Sequence, residues 1–142
     1  MYRTVVVGAD DSATAREAVI VAADVAQAGG GKLHIVTAYD RKSVALEHLP
    51  ADVRYSADHP ADALLRRLSD LVKERGLEPV VHASEGDPAD AIVRVAEDVE
   101  ADLIVVGNKG MKGVRRVLGS VPNSVAHKAP CSVLIADTTA AA

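Results

Sequence analysis

The sequence predicts a three-layer α/β/α domain, a doubly wound five-stranded parallel sheet with helices on both faces. Five short runs rich in β-branched residues recur along the chain: Thr4–Val7, Leu33–Thr37, Pro79–His82, Leu103–Val106 and Ser132–Ile135. They are apolar almost throughout instead of alternating in and out, the pattern of parallel strands buried on both faces, so the segments between them must be crossovers. Those segments carry helical spacing, and strand-helix alternation with right-handed crossovers gives the layered architecture. The 142 residues contain no internal repeat and no linker. Residues 1–137 are therefore expected to form one domain, followed by a flexible tail at 138–142.

Each element has its own signals. The first helix is expected over Thr14–Ala28, where a Thr14-x-x-Glu17 capping pattern precedes Ala18, Val19, Ala22, Val25 and Ala26, and Gly29-Gly30-Gly31 ends it. The glycine run precedes a strand, which marks it as a helix terminator and not a phosphate loop. The second helix follows Pro60 with Ala61, Leu64, Leu65, Leu68, Leu71 and Val72 on one stripe and stops at Gly76. Asp87-Pro88 is a cap and first-turn pair for the third, which places Ile92, Val95, Ala96 and Val99 on one face. The fourth runs from about Val121 to Lys128 and is broken by Ala129-Pro130. Asp40–His59 lacks clean periodicity and reads as a long connection with a partial helix.

Composition removes several functional classes. Sixteen Lys and Arg against twenty Asp and Glu give a formal charge of −4, so no polyanion-binding face is expected. Three tyrosines, with no Phe or Trp, leave no stacking platform for single-stranded nucleic acid. There is no 18-residue apolar run and no signal-peptide pattern at Met1-Tyr2-Arg3-Thr4. The single cysteine, Cys131, forms no intrachain disulfide and suits a reducing cytoplasm, where it reads as a packing residue. His34, His48, His59, His82 and His127 are scattered, with no two at metal-ligand spacing on one helix, so no metal site is expected.

In a doubly wound sheet, ligands bind beyond the carboxyl ends of the strands, where the winding direction switches. Two polar turns leave apolar runs at such places: Gly8-Ala9-Asp10-Asp11-Ser12 and Gly107-Asn108-Lys109-Gly110. Gly107 and Gly110 allow close backbone approach to a ligand, and Gly119-Ser120 opens the fourth helix with a hydroxyl and unsatisfied N–H groups. Between Gly107 and Ser120 lie Lys109, Lys112, Arg115 and Arg116 with no acid, a local charge of +4 against −8 for the remainder. An anion cradle follows from this pattern. A solvated loop punctuated by glycine is equally compatible with it.

Gly107-x-x-Gly110, then Gly119-Ser120-Val121, then Ala129-Pro130-Cys131-Ser132-Val133-Leu134-Ile135 resembles the universal stress protein family. Val5-Val6-Val7-Gly8-Ala9-Asp10-Asp11-Ser12, Glu85-Gly86-Asp87-Pro88 and Asp102-Leu103-Ile104-Val105-Val106-Gly107 extend the resemblance over nearly the whole chain. The resemblance implies strand order 3-2-1-4-5 and, in the nucleotide-binding branch, ATP with its phosphates on the glycine loop, with or without Mg²⁺; AMP or cyclic AMP is the alternative ligand. It puts Ala9 and Asp10 at the adenosine part, Val36 in the adenine pocket and Gly86 at its flank. Gly107, Gly110, Gly119, Ser120 and Val121 would hold ribose and phosphates, and Ser124 is a further phosphate contact. Eight residues, Met111–Leu118, separate Gly110 from Gly119, one fewer than the family's ATP-binding pattern. The resemblance also implies a homodimer through the last strand, where the apolar edge at Val133 and Ile135 invites pairing. A cytoplasmic stress sensor or regulator is the implied role. Because some members bind no ATP, an interaction protein acting through its dimer is the second class.

Other chemistries fit less well. Asp10-Asp11 resembles the acidic pair of a phospho-receiver domain, but the third strand ends Ser84-Glu85 without a suitable Asp, and Asp137 stands where a lysine is needed. Neither G-x-x-x-x-G-K-[ST] nor, after the first strand, G-x-G-x-x-G is present. The phosphate loop carries cations but no carboxylate to act as a base, so the chain is expected to bind nucleotide and turn it over slowly or not at all, not to be an enzyme.

Overall fold

The computed structural model describes residues 1–39, 60–108 and 118–138. The expected connection Asp40–His59 and the expected ligand residue Gly110 lie outside the described residues. In chain order the elements are β1 (Thr4–Gly8), α1 (Ala13–Ala28), β2 (Lys32–Tyr39), α2 (Pro60–Lys73), β3 (Val80–Glu85), α3 (Pro88–Asp98), β4 (Leu103–Gly107), α4 (Ser120–Lys128) and β5 (Ser132–Ala136). The strands form one parallel sheet in the order β3-β2-β1-β4-β5. The doubly wound class is that read from the sequence, and the 3-2-1-4-5 order is that implied by the resemblance.

Successive strand residues point to opposite faces, so the apolar runs serve two cores. Val5, Val7, Leu33, Ile35, Leu103 and Val105 pack under α1 and α2, where Val19, Leu65, Leu68 and Val72 meet them. Val6, Val36, Ile104 and Val106 pack on the other face against Ile92, Val95 and Ala96 of α3 and Val125 of α4. Small residues at Ala18, Ala22, Ala23 and Ala26 form the buried side of α1.

Local chemistry fixes the element ends. Ser12, not Thr14, is the N-cap of α1, its Oγ accepting the Ala15 N–H at 3.0 Å. The capping box proposed around Thr14 gives way because the strand-end turn delivers Ser12 first. The Gly31 N–H closes the helix onto the Ala26 carbonyl at 2.8 Å. Asp87 caps α3 as expected by accepting the Asp90 N–H at 3.1 Å. Before β4, the Asp102 carboxylate accepts the N–H groups of Arg3 at 2.9 Å and Thr4 at 3.0 Å, tying the start of β1 to the turn. Those donors hold its carboxyl below the usual carboxylate range.

Three sequence expectations need adjustment. β3 continues through Ala83-Ser84-Glu85, weak strand formers, because Thr37–Tyr39 of β2 pairs with them. Thr138, expected at the start of a frayed tail, is fully buried and hydrogen-bonded to Asn108. Two of the scattered histidines meet across β2 and β3, with His34 Nδ1 and His82 Nε2 3.0 Å apart. Both lie on the α3 face, and burial lowers both pKa values from the ordinary 6.5.

Candidate functional site

The winding direction changes between β1 and β4, and their carboxyl ends, with that of β2, open into a cavity of about 390 Å³. That volume lies within the roughly 300–1,000 Å³ range of small-ligand pockets. Its floor is apolar: Val36 and Ala38 from β2, and Val106 and Gly107 from β4, with Gly8 of β1 between them. Pro88 and Ile92, one turn apart on α3, form a wall. Such a slot accepts the faces of a flat heterocycle.

Three helices direct their N-termini at this cavity: α1 through Ser12, Thr14 and Ala15, α3 through Pro88, and α4 through Gly119, Ser120, Val121 and Pro122. Aligned peptide dipoles make each terminus favourable to negative charge. The side chains of Ser12 and Asp87 cap α1 and α3. The N-cap of α4 is Gly119, which offers no side-chain hydrogen bond, so among the described residues no capping side chain competes for its first-turn donors at the cavity. Asn123, one turn in, donates its N–H to the Gly119 carbonyl at 3.0 Å.

At the mouth, Asp10 Oδ1 accepts both the N–H and the hydroxyl of Ser12. Ser12 thus orients the carboxylate while its own oxygen caps α1. The Ala9 N–H bonds the Val36 carbonyl at 2.9 Å, carrying the β1-β2 pairing one residue past the strand. Asp11 turns the other way and pairs with Arg67 of α2 at 3.2 Å, lining a second groove between α1 and α2.

Of the residues singled out from sequence, Ala9, Asp10, Val36, Gly107, Gly119, Ser120 and Val121 line this one cavity. Gly86 and Ser124 do not line it. Gly86 has φ +115° at the turn after β3 and donates its N–H to the Tyr39 carbonyl at 2.9 Å, while Ser124 lies one turn into α4. Sequence reasoning missed Ala38, Pro88, Ile92 and Val106 as lining residues. The signals were present: Ala38 follows Val36 at strand period, and Ile92 follows Pro88 at helical period.

Residues 1–137 match the model of the universal stress protein family. A universal stress protein of Mycobacterium tuberculosis is 37% identical over 148 aligned residues, covering 97% of this chain and 98% of the relative. Among solved structures, a universal stress protein in complex with cAMP is 38% identical, with a TM-score of 0.74 and coverage of 97% of this chain and 98% of the other. The Archaeoglobus fulgidus universal stress protein in complex with dAMP is 25% identical, with a TM-score of 0.67 and coverage of 94% and 97%. With a parallel sheet in the order 3-2-1-4-5, a cavity at its switch point and similarity along nearly its whole length, the chain belongs to the universal stress protein family.

Proposed function

We propose that the chain binds an adenine nucleotide in the cavity at the ends of β1, β2 and β4, with ATP as the leading ligand, and works as a cytoplasmic stress-response sensor and not as a fast enzyme. The observation that carries this reading is one cavity joining an apolar slot to the uncapped N-terminus of α4. The base lies between Val36, Ala38 and Ile92, Asp10 meets the adenosine part, and the phosphates take the donors at Gly119, Ser120 and Val121. The complexes of related proteins with cAMP and dAMP support the adenine preference. They also favour a second reading, in which AMP or cyclic AMP is the ligand. Asp11 is paired with Arg67 away from this cavity, and Asp10, the carboxylate that lines it, is given to the adenosine part and not to water at a terminal phosphate.

β5 ends the sheet, with Ile135 39% exposed and Val133 half-buried, so a second copy pairing there gives a homodimer. Among the described residues no helix is long and apolar enough to cross a membrane. Native mass spectrometry of the purified protein tests the ligand reading. An added mass equal to one adenine nucleotide per chain is expected. Bare protein, together with no thermal shift on adding ATP, AMP or cyclic AMP at millimolar concentration, counts against it.

A further inference from the structure

We propose that Asn108 is a positioning residue for the nucleotide site, latching the chain where it leaves β4 to the segment that follows β5. This role rests on the nucleotide reading of the cavity. Asn108 is only 4% exposed. Its Oδ1 accepts both the N–H and the hydroxyl of Thr138, each at 2.8 Å, and its Nδ2 donates to Asp137 Oδ1 at 3.1 Å. Its own N–H reaches the Ala136 carbonyl at 3.0 Å. Three consecutive residues, the last of β5 and the two that follow it, thus hold one side chain and its backbone.

The partners fix the orientation of the amide. A peptide N–H can only donate and a carboxylate can only accept, so oxygen must face Thr138 and nitrogen Asp137. No other side chain of this length supplies both functions. Thr138 is fully buried, and its Cγ2 lies 3.3 Å from where a Cβ on Gly107 would sit. The latch therefore packs behind Gly107, whose other surroundings include the cavity. With Asn108 and Thr138 buried and joined by paired hydrogen bonds, such a network holds one arrangement where a free turn would sample many. A ligand then meets Gly107 already in place and spends less of its affinity ordering it.

Asn108→Asp keeps the acceptor for Thr138, removes the donor and sets a carboxylate against Asp137. Asp137→Asn in the same chain returns a donor to the pair. Calorimetric titration with ATP and with cyclic AMP is to be read beside the thermal midpoint of each variant. Asn108→Asp is expected to raise Kd about tenfold, equivalent to about 1.4 kcal/mol, and Asn108→Asp/Asp137→Asn to return it to within about threefold of wild type. Thr138→Val, which keeps the N–H bond and loses the hydroxyl, is expected to raise Kd about threefold and carries the test if Asn108→Asp does not fold. Variants that melt earlier yet bind with wild-type Kd overturn the positioning role and leave a structural one. A double variant no tighter than Asn108→Asp overturns it equally. Wild type that binds neither nucleotide removes the reading of the cavity itself, and the positioning role with it.

Discussion

Gly8 stands where β1 delivers the chain into the cavity, and a Cβ there would overlap Ile92 Cδ1 and lie 2.8 Å from its Cγ1. Ile92 is itself 4% exposed and lines the slot, so displacing it disturbs the space proposed for the base. Gly8→Ala is therefore expected to weaken nucleotide binding about tenfold, and to cost about 1–3 kcal/mol of stability by overpacking. Titration calorimetry and urea unfolding check the two effects separately. The His34–His82 pair makes a second prediction. One ring must donate and the other accept, and burial, aided at His34 by the charges of His82 and Lys32, disfavours the cationic form; at His82 the nearby Asp98 opposes that effect in part. Folded pKa values below 6.5 mean that the unfolded chain takes up protons first as pH falls. The contribution of the pair is present above about pH 6.5 and is lost as pH drops through the folded values. Urea midpoints between pH 7.5 and pH 5 should fall more steeply for wild type than for His34→Asn/His82→Asn. Equal slopes would show that the pair contributes nothing to the pH dependence.

Strands and helices were legible because their signals are local. The run Leu103-Ile104-Val105-Val106 is apolar in sequence and fully covered in the fold, and Asp87-Pro88 caps α3 by the chemistry its residue types announce. Pairings between distant segments were not legible. Nothing local marks Ala83-Ser84-Glu85 as strand until Thr37–Tyr39 lies beside it, and nothing local brings His82 to His34 or Thr138 to Asn108. The cavity shows the same division. Its motif residues at Gly107, Gly119 and Ser120 were readable, whereas Ala38 and Ile92 acquire their place only when α3 crosses the sheet. At this scale the β5 edge makes its own prediction. Val133 and Ile135 are partly exposed at the end of the sheet, an arrangement that favours pairing with a second β5. Val133→Lys and Ile135→Lys should each shift sedimentation toward monomer at tens of micromolar protein. Variants that sediment like a dimeric wild type would place the interface on another surface.

The molecule as a whole directs three helix N-termini and three strand ends at one cavity, while Asp11 is drawn into an ion pair with Arg67 on another face. That division favours holding an anion over cleaving it. Under single-turnover conditions with Mg²⁺ and excess protein, ATP hydrolysis is expected to stay far below about 1 s⁻¹, the low end of ordinary enzyme rates. A rate near that value, abolished by Asp11→Asn, would make the protein an ATPase. The same division sets the expectation for ligand binding. Ser12 turns the Asp10 carboxylate at the cavity mouth, so Asp10→Ala should weaken the nucleotide while leaving the fold intact. Calorimetric titration of wild type and Asp10→Ala with ATP, AMP and cyclic AMP is the most direct measurement. Saturable heat at one site per chain, with a Kd raised several-fold by Asp10→Ala, is the expected result; folded wild-type protein that gives no heat with any of the three at millimolar concentration would contradict it.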